Sequence, residues 1–525
     1  MPPAPALVRA LASAARRHAA WILVCLAYLF PFPYFEQLNN PNENVRVWAT
    51  RAIVEHHALN IDQTQAEWGY VNDKAINAGH LYSSKAPGAT FLGVPVLYVQ
   101  TKLRHLFGEP SPGKRDTTFW LRLLAIKVPL CVFLFFFARH VERVTRSRAA
   151  RDLLVVGLGL GTLVYPYGQM FVGHALAAAA AFGSYMLLAP PGVEPGLPAA
   201  ATRRGLAWAG VLAGLAVAFE YQAAIVSALL ALYALSRHRV RSASFFAGTL
   251  APAALLGLFH TALFGRPWRF PYAFIENPEY LRTAHSAGFH GLALPHLDAI
   301  GSSLFAPDYG LFIFSPVLAL GVIAALVAVA RGARRDGTLV VAVGFCMLLF
   351  LGGMSNWRGG WCVGPRYITT VAPFMMFGLA LAWPVIGARP WLSGIVTGAI
   401  VVSVLLNVVS GAVYPHYPEV FDNPVFDLTL PLLRQRYVPY GFGWWIGLRG
   451  LLALAPLALV VAGALALGAR GDGARWPQRT LRVAVAALVA VVLLVPLSAY
   501  GRRPSPGEDQ AAAFVKAIWE PPPVR

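Results

Sequence analysis

Residues 79–105 read GHLYSSKAPGATFLGVPVLYVQTKLRH, and whether they cross a membrane decides the topology of the whole chain. After Lys85 the stretch is apolar enough for a transmembrane helix. It opens on Ala86-Pro87-Gly88, however, carries Gly93 and Pro95, and reaches Lys102 and Arg104 after roughly fifteen residues, where a span needs about 20. The surrounding chain decides between the two readings. It is 525 residues long, 57% hydrophobic and 13% charged, with a mean hydropathy of +0.56. A soluble protein carries about 25% charged residues. Apolar runs of about 17–25 residues recur along its length, so the expected fold class is an all-α polytopic membrane protein.

The formal net charge of +19 lies largely in arginines of short loops between apolar runs. That is the positive-inside pattern, with attraction to anionic membrane lipid, and no nucleic-acid partner is expected. The four cysteines form no C-x-x-C, and Cys25, Cys131 and Cys346 sit in apolar runs, which points to neither a disulfide framework nor a zinc site. Arg9, Arg16 and Arg17 precede the first apolar run, about 19–35, and no A-x-A site follows it, so an uncleaved first span is expected. Abundant Ala, Gly, Pro and Arg with scarce Lys suggest a GC-rich, bacterial coding sequence.

With the N-terminus in the cytoplasm, the basic loops at 139–151, 203–204, 237–241, 331–335, 389 and 470–482 are all expected on the cytoplasmic side. Pairs of apolar runs separate them: 152–169 and 174–190, 205–219 and 221–237, 243–264 and 309–330, 338–355 and 367–388, 391–413 and 443–468, then a lone run at 481–500. Only the segment between 86 and 139 breaks this parity. The run 118–138 is long enough to cross and ends at a basic loop, so 87–104 is predicted to be an interfacial or re-entrant helix. The result is about 13 spans in the cytoplasmic (inner) membrane, with the C-terminus external. Most acidic residues then fall outside, an independent consistency check. Residues 1–390 are expected to form one transmembrane module with external loops 36–117 and 265–308. Residues 391–525 would add C-terminal helices, an external loop at 414–442 and a short tail with little fold of its own.

The polar residues of the external segments are the candidates for chemistry. Asn40 to Asn44 can cap a helix, and from Val45 to His57 the apolar residues fall on one face, predicting an amphipathic helix on the membrane surface. Glu43 and Arg46 sit at its start, where an acid also simply favours the helix dipole. Asp73-Lys74 reads as a surface ion pair. Lys85 either snorkels to headgroups or grips a lipid phosphate. His174 follows the turn YPYGQMFVG, and Glu220 lies in a tight turn between short spans, where a carboxylate needs a cavity or a partner. In SNWRGGWCVGPRY, Trp357 and Trp361 suit an interface belt or a sugar face. Arg358 and Arg366 lie outside against the charge rule, so phosphate or carboxylate partners are expected.

An external acid followed three positions later by Arg, then a lysine-proline turn into a short helix, resembles the GT-C superfamily of membrane glycosyltransferases, in particular lipid-A aminoarabinose transferases and protein O-mannosyltransferases. Their Asp-Glu-x-Arg motif is matched by Glu43-Asn44-Val45-Arg46, and their Glu-Lys-Pro turn by Ser84-Lys85-Ala86-Pro87. The resemblance implies a GT-C-type fold and Glu43 as general base on an acceptor hydroxyl. It implies Lys85, with Arg282, Arg358 and Arg366, as contacts of the donor phosphate, and Arg46, Asp73, His174, Glu220, Trp357 and Trp361 as substrate-binding residues. Asn44 and Ser84 replace the second acid of each motif, so no metal is indicated and no cofactor is expected. The implied reaction is inverting transfer of a sugar from a polyprenyl-phosphate donor to a lipid, glycan or protein acceptor. A lipid-linked-saccharide transporter and a non-catalytic envelope-assembly protein are the alternatives. A transporter is expected to show repeat symmetry or mid-span acids.

Overall fold

The computed structural model describes residues 13–38, 40–192, 200–471, 476–499 and 505–523. Arg9 lies outside the described residues. The regular structure is almost wholly helical, with one two-stranded sheet among the described residues, as expected for a polytopic membrane protein. Every predicted apolar run contains a helix. Among the described residues, six helices are long and apolar enough to cross a bilayer: Lys114–Thr145, Tyr221–Phe264, Arg334–Gly353, Pro390–Val413, Gly450–Gly468 and Trp476–Leu497. Four shorter apolar helices accompany them: Ala19–Leu29, His174–Leu188, Pro316–Ala330 and Val371–Leu381.

Small residues set how closely the bundle packs. Arg203–Phe219 crosses Ala243–Phe264 at Gly210 and Gly248, and any Cβ there would run into the carbonyl of Phe245 or of Ala207. Gly321 and Gly378 make the same reciprocal contact between Pro316–Ala330 and Val371–Leu381. Between lipid-facing helices no hydrophobic gradient drives association, so backbone proximity and dispersion must hold the crossing.

The basic loops gather at one end. Arg143, Arg146, Arg237, Arg334 and Arg335 line a single cleft, and Arg17, Arg139 and Arg148 line its neighbour. The long loops occupy the other end. Arg122 lies there beside Glu43, 21 residues before Arg143 in the continuous helix Lys114–Thr145, about 31 Å away at 1.5 Å per residue.

The deciding stretch forms the helix Gly88–Leu106, which is not among the long apolar ones. Both of its ends lie on the loop side. Lys85 precedes it and pairs with Asp73. At its far end Arg104 reaches Asp116 at 3.5 Å, two residues past Lys114, whose ammonium donates to the Glu36 carbonyl at 2.9 Å. The helix packs across Pro41–Glu55, with Gly93 against Thr50, Leu121 and Phe171, and leaves Phe91, Tyr98, Val99 and Leu103 exposed for lipid. A cysteine introduced at Glu109 is therefore expected to react with a membrane-impermeant maleimide added from outside intact cells. Labelling only after permeabilisation contradicts the placement.

Candidate active site

The first loop folds from its own turn chemistry. Asn40 caps Pro41–Glu55, its side chain accepting from the N–H groups of Asn42 and Glu43. The helix forms where the periodicity places it, but its polar residues face protein. Arg46 and Arg51 are buried, Arg46 against Glu220 at 2.8 Å and Arg51 against Glu55 at 2.7 Å. A hairpin follows, Lys74–Asn77 paired antiparallel with His80–Ser83. Ala78 (φ 49°) and Gly79 (φ 83°) make its two-residue turn, with both residues in the left-handed region that matches strand twist. The register sets Lys74 opposite Ser83, which brings the flanking Asp73 and Ser84 together. Asp73 is ion-paired with Lys85 and accepts the Ser84 hydroxyl at 3.1 Å. The predicted Asp73-Lys74 surface pair is thus replaced: Lys74 is buried, with Glu276 at 3.3 Å.

The loop that follows Ala243–Phe264 docks on this hairpin. Ala75 bridges Ile275, and the Glu276 N–H donates to the Lys74 carbonyl. That carries Asn277 and Tyr280 over Asp73. The turn after Arg334–Gly353 closes the ring, with Asn356 donating to the Tyr280 hydroxyl at 3.1 Å. Between these segments lies a cavity of about 560 Å³ whose polar lining includes Asn72, Asp73, Asn277, Tyr280, Asn356, Arg366 and His416, with Trp361 and Phe514 as aromatic walls. Burial alone would raise the pKa of Asp73, but Lys85, Arg366 and the Ser84 hydroxyl hold its carboxyl below the usual range. Burial pushes His416 down to about 3, leaving a neutral imidazole 3.2 Å from the Asn40 amide. Arg366 makes no ion pair among the described residues, and its Nε has no hydrogen-bond partner.

Of the residues singled out in the sequence, Asp73, Arg366 and Trp361 line this cavity. Lys85 stands directly behind Asp73. Glu43 does not line it. Arg122 donates to both its carboxylate oxygens, at 2.7 and 2.6 Å, and the Phe171 N–H donates at 2.6 Å. Burial opposes its charge, and Arg122 and Phe171 outweigh burial, so its pKa stays below the usual range. Arg46, His174 and Glu220 form a second buried cluster, with Glu220 Oε1 2.8 Å from Arg46 and 3.5 Å from His174. Asn42 joins it through Arg46. Arg282 is exposed and paired with Glu279 at 2.7 Å. Arg358 is committed to Asp308, and Trp357 packs edge-on against Tyr309.

Sequence reasoning passed over Asn72, Asn277, Tyr280, Asn356, His416 and Phe514. Gly79 between KAIN and HLYS is the one turn signal for the hairpin that organises them; Ala78, at φ 49°, is not a residue that two-residue hairpin turns favour. Phe514 corrects the expectation for the tail. Residues Pro506–Ala517 form a helix with a Ser505/Glu508 capping box, and Trp519 is buried against Phe35, Tyr414 and Tyr437. The cavity therefore draws on residues from both sides of position 390. Trp519→Ala is expected to cost about 3–5 kcal/mol of local docking. The readout is faster proteolysis of residues 505–523.

No family model and no curated protein matches this chain. Its structure is similar to that of the arabinosyltransferase EmbB from Mycobacterium smegmatis, at 14% identity and a TM-score of 0.43, over 95% of this chain and 42% of EmbB. It is also similar to ArnT from Cupriavidus metallidurans bound to undecaprenyl phosphate, at 12% identity and a TM-score of 0.44, over 91% of this chain and 78% of ArnT. A third is the Archaeoglobus fulgidus oligosaccharyltransferase AglB in complex with an inhibitory peptide and a dolichol-phosphate, at 13% identity and a TM-score of 0.43, over 80% of this chain and 58% of AglB. The chain thus spans less than half the length of EmbB.

Proposed function

We propose that the chain is a GT-C-type glycosyltransferase that moves a sugar from a polyprenyl-phosphate donor to an acceptor hydroxyl, in the cavity around Asp73, on the external side of a cytoplasmic membrane. One observation carries the reading: Arg366, a cation without a carboxylate partner among the described residues, faces the same cavity as Asp73, which is paired with Lys85. A site with an uncommitted guanidinium, a carboxylate, amides and an aromatic wall suits a sugar bearing a phosphate.

Lys85 and Arg366 hold the donor phosphate and stabilise the charge that develops on it. As the phosphate takes Lys85, Asp73 loses its counter-ion and becomes the more basic. The acceptor oxygen attacks the anomeric carbon, and the sugar–phosphate bond breaks with its electron pair leaving on the polyprenyl phosphate. The hydroxyl proton passes to Asp73. Attack opposite the leaving group inverts the anomeric centre. Lys85 and Arg366 supply the positive charge, so the reading includes no cofactor.

The experiment is a panel of radiolabelled polyprenyl-phosphate sugars given to the purified chain in detergent, with lipid, glycan and peptide acceptors. Transfer is expected with one donor, and Arg366→Gln is expected to lower kcat/KM by about 10²-fold. Donor translocation across proteoliposomes without transfer in detergent favours the transporter.

A further inference from the structure

At the end of the bundle opposite the proposed active site, a cleft of about 540 Å³ is lined by Arg143, Arg146, Arg237, Arg334 and Arg335, with Asp336 as the one carboxylate among the described residues that line it. Asp336 is already engaged by the hydroxyls of Tyr185 and Tyr233, at 2.9 and 2.6 Å. Arg143, Arg334 and Arg335 make no ion pair among the described residues. His140, 5% exposed, also lines the cleft, and its Nε2 has no hydrogen-bond partner.

The cleft does not end at the surface. His140, Arg143 and Pro191 also line an apolar groove of about 840 Å³. That groove runs between Val128–Thr145, His174–Leu188 and Arg203–Phe219 as far as Leu92. Phe136 and Val132 on its rim are 55% and 49% exposed, which opens it sideways to the bilayer. Arginines in short loops follow from membrane topology alone. A cleft that holds a buried histidine whose Nε2 has no hydrogen-bond partner among the described residues, and that continues into an apolar groove, does not.

We propose that this composite site binds one anionic phospholipid from the leaflet at the arginine end, its phosphate in the cleft and an acyl chain in the groove. The charge is complementary, with Arg143, Arg237, Arg334 and Arg335 set against one engaged carboxylate among the described residues, and the lining changes from polar to apolar in the order of a lipid's headgroup and tail. Donors on three separate segments also give the lipid a structural consequence. It ties the 139–151, 237–241 and 331–336 segments together.

The test is native mass spectrometry of the full chain released from nanodiscs of mixed phosphatidylglycerol and phosphatidylcholine. One phosphatidylglycerol is expected to persist in preference to phosphatidylcholine. Arg334→Gln/Arg335→Gln is expected to reduce its retention about thirtyfold. The control Arg203→Gln/Arg204→Gln removes the same charge from an exposed helix start outside the cleft and is expected to leave retention unchanged. Ala180→Trp, which fills the groove without touching an arginine, is expected to weaken retention as well. Equal loss in both double variants, or loss in neither, overturns the discrete site and leaves only general surface attraction. Displacement of the lipid by millimolar inorganic phosphate also overturns it, because the cleft is then a site for free phosphate. Unfolding of the Arg334/Arg335 variant is recognised by size-exclusion chromatography, and Ala180→Trp then decides.

Discussion

Asp73→Asn is expected to lower the transfer rate by about 10²–10⁴-fold, the usual worth of a general base, with donor binding retained. Asn is the informative replacement. Asp73 sits at φ 61°, a left-handed conformation that Asn tolerates better than most residues, so backbone strain does not confuse the result. The amide still accepts the Ser84 hydroxyl but takes no proton. The pH profile gives a second readout. Lys85 and Arg366 hold the free-enzyme carboxyl below its usual range, near 3.9 for an unperturbed Asp. A base works when deprotonated, so kcat/KM is expected to persist to about pH 4 and fall only below it. A variant with full activity, or an acid limb centred near pH 6, removes Asp73 from the role.

Glu43→Gln separates this assignment from the one implied by the sequence motif. If Glu43 is the base, its amide variant folds normally and fails in catalysis. The structure leads to the opposite expectation, that the loss is in stability. Arg122 is buried, and both its bonds to Glu43 close a pair from which water is excluded.

The second large effect follows from that pair. Arg122→Met is expected to destabilise the chain by about 3–5 kcal/mol, because Glu43 is left as an uncompensated buried charge. Among the described residues, the Phe171 N–H would then be the one hydrogen-bond donor left on the carboxylate. Glu43→Gln/Arg122→Met is expected to recover much of the loss, since removing both charges also removes the desolvation cost. Denaturant unfolding in detergent followed by tryptophan fluorescence measures all three variants as a double-mutant cycle. Additive losses contradict the coupling. Surviving transfer in the double variant assigns Glu43 to architecture, while a stable double variant without transfer returns it to the chemistry.

Membrane class and the helix pattern were legible because both are written in consecutive residues. Hydropathy is summed over about 20 neighbours, and loop arginines are counted one loop at a time. Gly88–Leu106 illustrates this: a local shortage of apolar residues and the parity of distant loops agreed on a helix that stays on one side, and both its ends lie there. Residue roles were a different matter. Glu43 and Asp73 are both acids in the same long loop, and no periodicity distinguishes them. Arg122, nearly eighty residues away, occupies the one. A four-residue hairpin register presents the other to a cavity, beside an arginine almost three hundred residues further on. Arg282, Arg358 and Arg366 looked alike as external arginines, and only their carboxylate neighbours separate them: Glu279 for the first, Asp308 for the second, none for the third among the described residues. Charge type is a property of the chain, but its availability depends on which opposite charge the fold brings within about 4 Å, where a desolvated pair outcompetes water.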